Sequence, residues 1–280
     1  MPTQKEIIGD HPVSPNIFDT WLENDDIVQN SVRCHRSLSS KLDANDAGLI
    51  SWFASKIIEH HYSPLKLRRL KKKYSDIGFP NYAKQHRQIP KVDRTKKGNG
   101  AEIILIEYIT NCQQAGNLIK YYKFRYNPNV DQSMKGDDAL VIDILNDKKS
   151  KEEIKVFLGE AKFRSTPDKE VIKQLSESLG KDKLPLSYTF MVDRLYEDPA
   201  TEYIAEFLEL FIMDEVKAKN NLNYVGLLLS NNKTASYVET HFQSDNPNAI
   251  IISLQIDNPK QLIDEAFKEA ENLLSNPLGI

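Results

Sequence analysis

Two stretches, Tyr224–Ser230 and Ala249–Gln255, are apolar at nearly every position, with no every-second-residue polarity. Seven-residue runs of this kind are too short for a core helix. They fit strands covered on both faces, as in an α/β sheet. Such strands require helices on either side, and the chain supplies them. Behind Asp43-Ala44-Asn45-Asp46, the residues Leu49, Ile50, Phe53, Ala54, Ile57 and Ile58 form one stripe at helical spacing. Residues Ala101–Asn111, opened by Gly100, are apolar nearly all round and so predict a buried helix. Pro199–Lys219 is amphipathic through Ile204, Phe207, Leu208, Phe211 and Ile212, and a last helix runs from Pro259 to about Ser275. The expected fold is α/β, a mixed central β-sheet with helices on both faces.

Further strands are expected at Leu118–Tyr126 and Tyr188–Val192, and a helix at Asp168–Gly180. Residues 1–40 read as irregular, with a strand or helix near Ile27–Val32. A short basic helix, Leu65–Tyr74, follows Pro64, and Gly78 to Pro90 reads as loop. The expected division is a helical and irregular N-terminal module at 1–95 and a main domain at 96–280.

The chemistry concentrates in residues 135–162. Lys135-Gly136-Asp137-Asp138 opens the apolar run Ala139–Ile144. After a polar interval, a second run reads Lys155-Val156-Phe157-Leu158-Gly159-Glu160-Ala161-Lys162. Two short β-branched runs bounded by turn residues predict a hairpin. On a strand, Glu160 and Lys162 share a face. Carboxylates and an ammonium gathered at one sheet edge suit a hard divalent cation with a lysine beside it. A lone Glu-x-Lys is an ordinary ion pair on a solvated strand, and an acidic pair before a strand is ordinary turn chemistry. The setting adds weight: the tripeptide sits inside an otherwise apolar strand, and Glu102 stands at the head of an apolar helix. A buried acid there needs a partner, a metal or the helix N-terminus.

The ordered set Glu102, Asp138, Glu160, Lys162 and Gln174 resembles the PD-(D/E)xK nuclease superfamily, whose core runs helix, three strands, helix, strand. The resemblance implies a restriction-endonuclease-like core. It makes Glu102, Asp138 and Glu160 ligands of Mg2+ (Mn2+ the alternative), Lys162 a catalytic lysine and Gln174 the glutamine of the next helix. Asp137 competes with Asp138 for the ligand position, and no proline precedes the pair. On Lys96-Lys97-Gly98, Lys135-Gly136-Asp137-Asp138 and Gly159-Glu160-Ala161-Lys162-Phe163, the chain also resembles the HamA family, nuclease subunits of the Hachiman anti-phage defence system. That resemblance implies a metal-dependent DNase held inactive by a helicase-like partner, HamB, until phage DNA is sensed. Two other readings are an inactive nuclease-like adaptor that docks a helicase or nucleic acid, and a site-specific restriction endonuclease.

Net charge is −3, yet residues 66–97 carry twelve Lys or Arg against two acids. Among them, Lys66, Arg68, Arg69, Lys71, Lys72, Lys73, Lys96 and Lys97 are the expected DNA contacts. The flanking acidic regions suit a basic partner or cover this block. No apolar run approaches membrane-spanning length and no signal pattern opens the chain. Cys34 and Cys112 form no framework, so the expected compartment is the cytoplasm.

Overall fold

The computed structural model describes residues 2–25, 34–77, 88–113, 117–132, 139–144, 154–180, 186–197, 199, 201–213 and 222–275. Seven strands form one mixed sheet. They are β1 (Leu22–Asp25), β2 (His35–Ser40), β3 (Asn117–Lys120), β4 (Ala139–Ile144), β5 (Ile154–Phe163), β6 (Leu222–Ser230) and β7 (Ala249–Gln255). The order across the sheet is β1-β2-β7-β6-β5-β4-β3. Strands β2, β7, β6 and β5 run parallel, and β1, β4 and β3 make the antiparallel pairs at the edges.

One face is covered by α1 (Gln4–Ile8), α2 (Ile17–Trp21), α3 (Ala47–His61), α4 (Pro64–Ile77), α5 (Asp93–Cys112) and α10 (Pro259–Ser275). The other carries α6 (Lys169–Leu179), α7 (Leu186–Tyr196), α8 (Glu202–Met213) and α9 (Thr234–His241). Burial on both sides explains the unbroken apolar runs of β6 and β7. Residues on either side of the expected boundary at 95/96 share this sheet and one core. His35 pairs with Ile251, Phe53 packs in the same cluster as Ile104 and Phe267, and α5 itself starts at Asp93.

The hairpin of β4 and β5 is present, with Ala139 opposite Gly159 and Ile144 opposite Ile154. The expected strand at Tyr188–Val192 is instead helix α7. Tyr188, Met191 and Val192, with Leu195, follow helical spacing and pack together on β4 and β5. The expected strand Leu118–Tyr126 stops at Lys120, and a 3-10 turn follows at Lys123–Tyr126, burying Lys123 and Phe124. Gly100 does not open α5 but lies within it. A Cβ there would sit 3.3 Å from the Ile263 side chain, so the glycine lets α10 approach closely. The segment expected to be ordered near Ile27–Val32, and most of the expected loop at Gly78–Pro90, lie outside the described residues.

The N-terminal segment is tied to the end of α5. Gln113 Nε2 donates to the Ile8 carbonyl at 2.8 Å, and Asn16 Nδ2 donates to Asn111 Oδ1 at 2.8 Å. Between them Gly9 has φ +82° and ψ 179°, a region open in practice to glycine alone. A Cβ at Gly9 would lie 2.2 Å from the Cys112 carbonyl oxygen. Gly9→Ala should therefore cost about 2–3 kcal/mol in denaturant unfolding. An unchanged midpoint would show that this segment is not docked as described.

Candidate functional site

Strand alternation sorts the side chains of β5 onto two faces. Phe157 and Ala161 join the cluster beneath α5, whereas Val156 and Leu158 join that of α7 and α8. Glu160 and Lys162 continue the second set, near the carboxyl end of the strand. Their carboxylate and ammonium are in direct ion-pair contact, and both are partly exposed, 17% and 27%. A carboxylate and an amine at a strand end, paired yet reachable from solvent, form a usable polar site.

Gly159 explains how α5 comes close on the far side. A Cβ there would fall 2.8 Å from Leu105 Cδ2 and 2.7 Å from the Ala139 Cβ. One turn from Leu105 stands Glu102, only 8% exposed, with Lys123 Nζ 2.6 Å from its Oε2. The partner this buried acid needed is a lysine carried by the 3-10 turn. Glu102 thus approaches the sheet from the face that α5 covers, while Glu160 and Lys162 point to the opposite one. Gln174 shares the side of Glu160 and Lys162. It lies on α6, partly exposed, with its amide 3.4 Å from Glu170 Oε1. Asp137 and Asp138 lie outside the described residues; Ala139, which follows them, opens β4 opposite Gly159. Among the described residues, no group of three or more His, Cys, Asp or Glu side chains is placed to hold a metal ion.

The expected basic contacts fall into two places. Arg68, Arg69 and Lys72 are exposed on α4, which anchors through buried Leu70 and partly buried Leu67. Lys66 lies 5.8 Å from the Tyr62 ring; burial lowers its pKa, and Arg69 adds to the shift. Lys71 and Lys73 sit on the same helix at intermediate exposure. On α5, Lys97 sits 5.6 Å from the ring of Phe163, the last residue of β5, and Lys96 lies 5.9 Å from the Phe267 ring. Of these expected DNA contacts, Lys97 thus reaches the motif strand.

A charged network escaped sequence reading. Glu107, 2% exposed on α5, accepts from His60 Nε2 and from Lys120 Nζ, each at 2.8 Å. Burial by itself raises the Glu107 pKa, but the His60 hydrogen bond and the charge of Lys120 outweigh it and hold it at about 2. Burial keeps His60 neutral, so near pH 7 it serves as a donor and Lys120 supplies the charge. The available signal was a carboxylate recurring within an apolar helix, five residues after Glu102.

A second chain of bonds links Ser253 Oγ to His35 Nε2 at 2.8 Å, and His35 Nδ1 to Glu239 Oε2 at 3.1 Å. Its order is that of a hydrolytic triad. Ser253 is 0% exposed, so no substrate can reach it; the chain fastens β2 to β7 and α9.

With this geometry in place, comparison with known proteins is informative. The HamA family profile matches residues 15–270. The chain belongs to the HamA family. It is 38% identical to the Hachiman protein HamA of Bacillus cereus over 280 residues, covering 98% of this chain and 97% of that protein. The HamA match spans both sides of the 95/96 boundary, as do the sheet and the core.

Proposed function

We propose that this HamA-family chain is a metal-dependent DNA endonuclease of Hachiman anti-phage defence, restrained by the helicase-like partner HamB. The observation that carries the reading is the contact of Glu160 with Lys162 at the carboxyl end of β5. The order α5-β3-β4-β5, then α6 and finally β6, supports it, because this is the helix, three-strand, helix, strand sequence of the nuclease core that the motifs resemble. Among the described residues, three intervening features differ from a minimal core: α7, α8 and the 3-10 turn.

The donors in this reading, Glu160, Asp138 and Glu102, are carboxylate oxygens, the type that suits Mg2+ or Mn2+. Glu160 fits the role through its partial exposure. Glu102 points to the opposite face of the sheet with Lys123 against its carboxylate, so as placed it does not fit a cation shared with Glu160, and Asp138, next to Ala139 in the sequence, is the remaining donor of this reading. When bound, the cation would neutralise charge at the phosphate and lower the pKa of a bound water. Lys162 would position the attacking water or donate to the phosphate oxygen where charge develops, its own charge balanced by Glu160. Gln174, on the same side, would orient substrate or water by its amide.

In this reading the α4 cations track the DNA backbone. Neutralising Arg68, Arg69 and Lys72 together should weaken binding to every DNA sequence alike. The slope of log affinity against log salt should fall by roughly 0.7–0.9 for each phosphate that these cations cease to neutralise. An unchanged slope would hand α4 to a protein partner instead.

Restraint by a partner has its own support. Asp193 on α7, Glu197 just beyond it, and Glu202, Glu206 and Glu209 on α8 are exposed, beside Tyr196 and Tyr203, which are 37% and 46% exposed. A row of carboxylates with exposed tyrosines repels DNA and suits a basic protein surface. No helix among the described residues is long and apolar enough to cross a membrane. Co-purification with HamB followed by a plasmid cleavage assay tests the proposal. An inactive adaptor would dock the partner and cut nothing under any metal.

A further inference from the structure

The parallel strands create a second polar site that the nuclease reading leaves unused. After β6 the chain crosses to the face of α9, and after β7 it crosses to the opposite face, that of α10. Where neighbouring parallel strands send their connections to opposite faces, the loops at their carboxyl ends part and leave a crevice, the usual ligand position in open α/β sheets. Two adjoining depressions of about 430 and 450 Å3 lie there and share Asp257, Asn258 and Gln261. Both volumes are in the range of small-ligand sites, about 300–1,000 Å3. One extends to Ser39 and Lys41 behind β2, and the other reaches Ser165, three residues beyond Lys162. At about 4.8 Å per strand spacing, the crevice crosses β5, β6, β7 and β2 over roughly 14 Å. That is the length of about four stacked bases at ~3.4 Å each.

The lining decides the ligand. Asn232, Gln255, Asn258 and Gln261 present side-chain amides, and none of these four side chains is hydrogen-bonded to another described residue. Four carboxylates, Asp43, Asp257, Asp264 and Glu265, outnumber two amines, Lys41 and Lys260, so phosphates are repelled from the walls. Amides pair with the donor and acceptor edge of adenine, and carboxylates accept from the amino group of cytosine. The ligand that fits is one with neutral hydrogen-bonding edges inside and its phosphates held outward.

We infer that the crevice at the carboxyl ends of β6 and β7 receives the unpaired bases of the DNA strand flanking the phosphate cleaved at Glu160 and Lys162. This rests on the nuclease reading for its location, but it can be tested by binding alone. The same chemistry could also come from a free mononucleotide.

The experiment measures binding of the full chain, without divalent cation, to a short mixed-sequence single-stranded oligodeoxynucleotide and to an abasic strand of equal length. The wild type should prefer the base-bearing strand by about tenfold. The double substitution Asn258→Ala and Gln261→Ala should abolish that preference while leaving affinity for the abasic strand unchanged. Both residues are exposed, and equal melting temperatures exclude a folding defect. A Glu160→Gln chain should keep the preference, so loss of nuclease chemistry and loss of base reading are separable. Equal binding of both strands by the wild type overturns the inference, as does a preference that survives the double substitution. Deoxynucleoside monophosphates that bind the wild type as tightly as the strand does would overturn it too, by making the free nucleotide the ligand.

Discussion

Replacing Glu160 or Lys162 by alanine should reduce DNA cleavage by at least about a hundredfold and leave the fold intact. Both side chains are partly exposed and contact each other, so neither is needed to fill the core. Losing Glu160 would remove an expected metal donor and leave the Lys162 ammonium without that carboxylate. Losing Lys162 would remove the donor that positions water or balances charge on the phosphate. Circular dichroism and a thermal melt establish the fold; a plasmid assay reads the activity. Asp138→Asn should be as severe and Asp137→Asn milder, and the reverse order would move the ligand to Asp137. Full activity in a well-folded Glu160 or Lys162 variant would sink the assignment.

The largest loss of stability is expected at Glu107, the buried carboxylate of the charged network on α5. Its carboxylate neutralises the partly buried Lys120 and satisfies the fully buried His60. Glu107→Ala leaves the buried His60 donor without its acceptor and Lys120 with only its 3.4 Å contact to Glu59, which should cost about 3 kcal/mol in denaturant unfolding. The same group makes the fold acid-sensitive. With a folded pKa of about 2 against 4.5, Glu107 contributes stability that is present above pH 4.5 and lost as pH falls toward 2. His61 acts in the same direction and earlier. Burial, partly offset by its bond to the Ile57 carbonyl, lowers its pKa from 6.5 to about 3. Its unfolded form therefore binds a proton first as pH drops below 6.5. Between pH 6.5 and 5 that group alone should remove about 2 kcal/mol. A stability that is flat from pH 7 to 5, or a Glu107→Ala loss below about 1 kcal/mol, would contradict this account of the network.

What could be read beforehand follows from how each element buries its surface. Strands β6 and β7 are apolar on both sides, so composition alone exposed them. Strand β2 was hidden because His35-Arg36-Ser37-Leu38-Ser39-Ser40 looks like loop. Its burial is compensated where His35 bonds Ser253 and Glu239, and where Arg36 donates to the Gly9 carbonyl and the Tyr108 hydroxyl. Such compensation comes from distant residues and leaves no local trace. Helix α7 was misread because Tyr188–Val192 is a short apolar run in which strand and helix look alike. At the site, period two was enough to place Glu160 beside Lys162. It could not show that Glu102 lies on the opposite face with Lys123 against its carboxylate, since that lysine sits 21 residues further on in a turn.

The most direct test of the central claim is cleavage of supercoiled plasmid by the purified chain, alone and in complex with HamB, with Mg2+, with Mn2+ and with chelator. Metal-dependent cleavage is expected, stopped by chelator and removed by Glu160→Gln. In the complex it should remain low until ATP and DNA with exposed ends or single strands are supplied. Absence of cleavage under every metal and partner condition would contradict the nuclease reading, and cleavage by the lone chain as fast as by any complex would contradict its restraint.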